Sequence, residues 1–157
     1  MRLSTLTTTL ATASLATARI IGIQIPSTLS PNASFPLTLL TEGYIQSVAD
    51  VAVAWGFSAA PGYPYSLGPF TESAYLGPDK SNTRENITLN ANAPAQLQNW
   101  MGQDVVLSAS LMSLYGASGG PTVTNFNATF KVVEGTWTDM TESEGFFTGT
   151  SVDCPRA

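Results

Sequence analysis

The sequence has no histidine, a single cysteine (Cys154) and only two lysines, Lys80 and Lys131. Each scarcity removes a class of chemistry. Without imidazole there is no Ser-His-Asp or Cys-His relay, no histidine-held metal and no side chain that ordinarily titrates near neutrality. One thiol makes neither an internal disulfide nor a zinc cluster. Lys and Arg together number 6 against 11 Asp and Glu, for a formal charge of −5. No basic cluster is available to neutralise phosphate, so nucleic acid and anionic membrane surfaces are poor partners. Charged residues are 11% of the chain, against roughly 25% in an average soluble domain. No apolar run reaches the length of about 20 residues that spans a bilayer.

What is present is threonine, serine and asparagine: 20 Thr, 16 Ser and 8 Asn in 157 residues, one domain's worth of chain. Residues 1–18 read as a secretory leader. Arg2 supplies the positive start, Leu6 to Leu15 a short apolar stretch interrupted by threonine, and Ala16-Thr17-Ala18 a small-x-small cleavage site. The competing reading is a threonine-rich first strand or a loose terminus. Three Asn-x-Ser/Thr tripeptides, at Asn32, Asn86 and Asn127, are candidate N-glycosylation sites.

The dominant hydrophobic period is two. Apolar residues alternate through 19–26 (Ile21, Ile23, Ile25), 47–57 (Val51, Val53, Trp55, Phe57), 86–92 (Ile87, Leu89, Ala91) and 125–132 (Phe126, Ala128, Phe130, Val132). Such alternation marks strands with one face buried and one wet. Asp50, Ala52, Ala54 and Gly56 fall on the wet side, as do Asn86 and Asn127, while Asn32 falls in a Ser-Pro-Asn turn. Further strands are expected at 35–41, around 72–76 and at 105–115, the last apolar on both faces and so central. Turn signals separate the runs, at 26–31, 61–64, 67–69, 77–79 and 116–121. Seven short strands predict an all-β fold, an immunoglobulin-like antiparallel sandwich over 19–133, with a small β-barrel as the alternative. Trp55 and Phe57 belong to its core. Residues 134–157 are acidic, rich in Ser and Thr, and carry Trp137, Phe146 and Phe147. They read as a disordered tail or, alternatively, as a segment whose aromatics dock on the domain or a partner.

No constellation demands catalysis. Glycoside cleavage needs two carboxyls about 5–10 Å apart, and no motif pairs any of the eleven acids. Asp79, Asn82 and Glu85 could face calcium, yet Lys80 and Arg84 in the same loop oppose a dication. A Ser or Thr nucleophile would need a pocketed lysine base. The expectation is therefore a protein that is not an enzyme, with no catalytic residue, cofactor or metal.

Four blocks in order, 18–26 (ARIIGIQIP), 43–57 (GYIQSVADVAVAWGF), 74–82 (AYLGPDKSN) and 113–118 (SLYGAS) followed by Phe126-Asn-Ala-Thr129, resemble the necrosis-inducing secreted proteins of fungi. The resemblance runs from about residue 18 to residue 133; Pro61 to Thr71 and the tail from Glu134 depart from it. It implies a small secreted, extracellular effector without enzymatic activity. It further implies suppression of plant pattern-triggered immunity by binding host receptor-associated kinases, with entry into host cells where those kinase domains are the target, and in some members cell death. It assigns no binding residues. From the residues themselves, partner contact would use a sheet edge or the aromatic loops 63–70 and 99–101, making Tyr63, Tyr65, Phe70 and Trp100 the candidates against a reading of local packing. A carbohydrate- or cell-wall-binding module is the alternative function, and a structural wall or coat protein a third.

Overall fold

The computed structural model describes residues 17–135, 139–143 and 147–149. Among the described residues ten strands form two sheets: β1 (Ala18–Pro26), β2 (Thr28–Leu29), β3 (Ser34–Gly43), β4 (Val48–Ala59), β5 (Phe70–Tyr75), β6 (Ile87–Asn92), β7 (Asp104–Tyr115), β8 (Gly120–Val132), β9 (Met140–Glu142) and β10 (Phe147–Gly149). The first sheet runs β6-β3-β1-β9 and the second β10-β8-β7-β4-β5, with β2 beside β8. All pairings are antiparallel except the two-residue β2–β8 bridge. The seven expected strands are therefore present, and β7 is central, between β4 and β8.

The sheets share one apolar core. Ile23, Ile25, Phe35, Leu37, Leu39, Ile87 and Leu89 come from the first sheet; Val53, Trp55, Phe57, Leu107, Phe126 and Phe130 from the second. Phe57 joins the layers. Its ring meets Phe35 of the opposite sheet edge-on at 6.2 Å and Phe130 of its own sheet at 6.1 Å, the arrangement aromatic quadrupoles prefer. The chain changes sheet at Pro26, where Ser27 N–H donates to Asp139 O and Lys131 N–H to Ser27 O, each at 2.9 Å.

Two β-bulges displace the expected alternation. One lies between Ile20 and Gly22 on β1, the other between Asp50 and Ala52 on β4. An extra residue inverts the parity of everything before it. Ile20, not Ile21, is thus buried. The second bulge corrects the placement of Asp50, expected on the wet face but turned inward and only 3% exposed. Period-two reading holds only within an unbroken run.

The reading of 134–157 as a tail apart from the domain is also corrected where residues are described. β9 pairs with β1 (Gln24↔Glu142, Ile25↔Thr141, Pro26↔Met140) and β10 with β8 (Phe147↔Asn125). The segment after β8 crosses to one sheet and returns to the other, covering an edge of each. Sheet edges left open are pairing templates, and a Thr-rich stretch suits that position. Trp137, Phe146 and Cys154 lie outside the described residues, as does the expected leader up to residue 16. β1 begins at Ala18, the last residue of that leader, whose N–H donates to Asn82 Oδ1 at 3.0 Å.

Candidate functional site: a tyrosine-walled groove on the second sheet

The loop between β4 and β5 does not project into solvent. It folds back over the outer face of the second sheet. Gly56 makes this possible: a Cβ there would stand 2.3 Å from Leu67 O. Gly68 reciprocates at φ +87, with a Cβ position 2.2 Å from Phe57 O. Only residues without a side chain let two backbones approach this closely. The loop thereby buries Ser58, Val106 and Ser108 on a face that would otherwise be wet.

Between this loop and the sheet lies a groove of about 520 Å³, within the usual range for a small-ligand site. Pro61 to Leu67 form one wall, and Val106, Ser108, Ser110, Asn125 and Asn127 the floor. Ser110 Oγ donates to Asn125 Oδ1 at 2.5 Å. Among the described residues no acidic or basic side chain lines it. Tyr63 is 74% and Tyr65 90% exposed, and Tyr65 is held at φ +59, a left-handed conformation that is uncommon for a bulky residue. Along the same outer face the register places Tyr75, Ala52, Met112 and Val123 in one cross-strand row, and Tyr75, Met112 and Val123 are exposed.

The four partner-contact candidates therefore separate. Tyr63 and Tyr65 flank the groove. Phe70 and Trp100 are half-buried, packed on the core and on each other with ring centroids 6.0 Å apart, which is the local packing role. Asn32, Asn86 and Asn127 are all exposed. Asn86 Oδ1 accepts from Thr41 N–H at 3.0 Å, while Asn127 belongs to the groove floor. Ser108, Ser110 and Asn125 were not singled out from sequence. Neutral residues at outward positions of β7 and β8, opposite a Gly-Pro-Tyr loop, were the available signal.

Among the described residues Asp50 is the buried carboxyl. Ser113 Oγ donates to its Oδ1 at 2.6 Å, its own N–H donates to Ser81 Oγ at 2.6 Å, and Ser81 Oγ donates onward to Val48 O. Burial pushes the carboxyl above the usual carboxylate range, against the opposing effect of hydrogen bonds from Ser113, the Asn82 backbone and Ser81. Tyr115 is likewise raised, by burial first and the Asp50 charge second. These groups lie away from the groove and tie the 77–82 turn to β4. A second hollow of about 300 Å³ is lined by Arg19, Tyr44, Tyr115 and their neighbours. Arg19 stacks 4.6 Å over the Tyr44 ring and donates to Glu42 Oε1 at 2.7 and 2.9 Å, so its charge is already matched. In the loop considered for calcium, Asn82 Oδ1 serves Ala18, and Glu85 N–H donates to Thr83 Oγ1 at 3.2 Å. Among the described residues no group of three or more His, Cys, Asp or Glu could hold a metal.

Two sheets on one core, with a pre-formed groove on one outer face, define a small all-β domain. The chain belongs to the Nis1 family, whose model matches residues 16–131. It is 45% identical over 139 residues to the "Necrosis-inducing secreted protein 1" of Colletotrichum orbiculare, covering 88% of this chain and 83% of that one. It is 47% identical over 119 residues to the protein of the same name from Colletotrichum higginsianum, covering 75% and 81%. The family resemblance read from the four sequence blocks is thus borne out. Among solved structures, a superoxide reductase (neelaredoxin) from Ignicoccus hospitalis is 14% identical, covering 73% of this chain and 81% of that one, with a TM-score of 0.44.

Proposed function

We propose that the chain is a secreted, extracellular, non-catalytic effector that provokes necrosis in host tissue by binding, and that the groove of Tyr63 and Tyr65 is its binding surface. Family membership supports secretion and necrosis induction, since the Colletotrichum relatives are named for both. The three-plus-four division of the seven long strands between the sheets supports the immunoglobulin-like reading over a closed barrel.

The observation that carries the site is two exposed tyrosines beside a floor of Ser and Asn side chains with Val106, without a charge among the described residues. Tyrosine offers a rigid apolar face with a polar tip at small conformational cost. Ser and Asn below it donate and accept hydrogen bonds without charge. A neutral polysaccharide of a wall or cuticle matches that chemistry, and we place it first as the ligand. Retention of the purified, unglycosylated chain on insoluble polysaccharide, lost in Tyr63→Ala/Tyr65→Ala with unchanged melting temperature, tests it. Equal retention of both proteins removes the groove as the site.

The second reading is binding to host receptor-associated immune kinases with suppression of pattern-triggered immunity, and it draws its support from family membership. An interface of roughly 800 Å² per side would extend from the groove over Met112, Val123 and Tyr75. Its test is capture by the cytoplasmic domains of such kinases; folded protein that is never captured removes it.

A further inference from the structure

One of the three glycosylation sequons stands inside the groove. Asn127 is exposed and contributes to its floor, beside Ser108, Asn125 and the wall of Pro61 to Leu67. The other two stand elsewhere. Asn32 lies in the turn between β2 and β3, and Asn86 precedes β6 with its carboxamide oxygen held by Thr41. Neither lines the groove. A sugar added at Asn32 or Asn86 enters solvent; one added at Asn127 starts within a hollow of about 520 Å³ with tyrosines on its far side.

We propose that Asn127 is glycosylated during secretion and that its own glycan occupies the groove, its first sugars lying against Tyr63 and Tyr65 and excluding other ligands. The chemistry of the site selects this occupant. Tyrosine faces suit the apolar side of a sugar ring, and the Ser and Asn floor suits its hydroxyls. Tethering adds the rest. A ligand on a short covalent link is present at an effective concentration on the order of millimolar, which a free saccharide has to exceed. The chain carrying the Asn127 glycan is then the closed form, and secreted chain whose sequon is left unoccupied, or whose glycan is removed, is the open form that binds. The exclusion of ligands rests on the groove-binding reading; the seating of the glycan does not.

The test compares the full chain secreted from a yeast host with two variants. Thr129→Ala abolishes the sequon while leaving Asn127 in place, and Thr129→Ser keeps it. Glycan occupancy is read by intact mass before and after enzymatic removal of N-glycans. Seating is read by tetranitromethane nitration of Tyr63 and Tyr65, with Tyr75, 70% exposed and outside the groove, as internal reference. Wild type and Thr129→Ser are expected to carry the Asn127 glycan and to nitrate at Tyr63 and Tyr65 several-fold more slowly than Thr129→Ala, with Tyr75 unchanged. Native enzymatic deglycosylation of wild type should restore the fast rate, which keeps the test valid if Thr129→Ala folds poorly. An unmodified Asn127 in the secreted protein, or equal nitration with and without the glycan, overturns the proposal. Polysaccharide retention should be stronger for Thr129→Ala than for wild type. Retention by neither form, with protection intact, removes the ligand reading and leaves the seated glycan standing.

Discussion

The outer faces of the two sheets share a background of Ser, Thr and Asn and behave differently. On the first sheet the polar side chains satisfy one another across the strands. Thr38 and Thr88 hydroxyls meet at 3.2 Å, Ser34 Oγ donates to Asn92 Oδ1 at 2.9 Å, Gln24 Nε2 to Glu142 Oε1 at 3.0 Å, and Arg19 closes on Glu42. On the second sheet the outer face carries exposed Tyr75, Met112 and Val123 and the groove under the 60–69 loop. Cross-strand pairs make the first face a finished surface. An apolar row beside the hollow is left without such pairs, which is why the proposed binding surface is placed there. Both faces carry Ser, Thr and Asn; the first adds charged and amide side chains that pair, and the second adds exposed Tyr, Met and Val that do not.

The largest effect should come from removing what both faces share. Phe57→Ala deletes the ring that touches Phe35 and Phe130 and should cost about 3–5 kcal/mol, read as a lower urea midpoint, with both faces lost together. Next, Gly56→Val drives a side chain into Leu67 O and should cost about 1–3 kcal/mol by overpacking. It should lift the loop and abolish groove binding, whereas Thr38→Ala on the first face should leave binding intact. If Gly56→Val binds normally, the loop is not the wall of the site.

Asp50 sharpens the contrast through pH. Its carboxyl is raised above 3.8 by burial, so the folded chain keeps a proton that the unfolded chain releases in that window. This contribution to stability is fully present below the unfolded value and is lost as pH rises through the higher folded value. The stability of wild type relative to Asp50→Asn should therefore fall on that rise, measured by urea unfolding from about pH 3 to pH 8. A difference that grows with pH contradicts the raised carboxyl. The smallest effect belongs to Ser58→Ala. Ser58 Oγ is buried with no hydrogen-bond partner among the described residues, so its removal should shift stability by no more than about 1 kcal/mol, toward neutral or slightly stabilising.

Much of the fold was legible because burial on one side of a pleated strand imposes a period of two. β6 and β8 follow it without interruption: Ile87, Leu89 and Ala91, then Phe126, Ala128, Phe130 and Val132, all face the core. It failed at Ile21 and Asp50, where a bulge adds one residue and no local signal announces it. The candidate site was half legible. Tyr63 and Tyr65 stood out as aromatics in a Pro/Gly loop, but so did Phe70 and Trp100, which pack on each other. Whether an aromatic in a loop faces solvent depends on what the loop lies against.

Periodicity by itself determined an all-β chain, composition the exclusion of imidazole chemistry and of an internal disulfide, and the ordered sequence blocks the family resemblance. Those properties reside in single residues or their immediate spacing. Tertiary structure alone decided that Gly56 and Gly68 let a loop lie flat on a sheet, that Asn127 shares a hollow with Tyr63, and that residues beyond 139 complete both sheets. Each of these joins segments far apart in the chain, and close approach between distant segments is fixed by packing rather than by local preference.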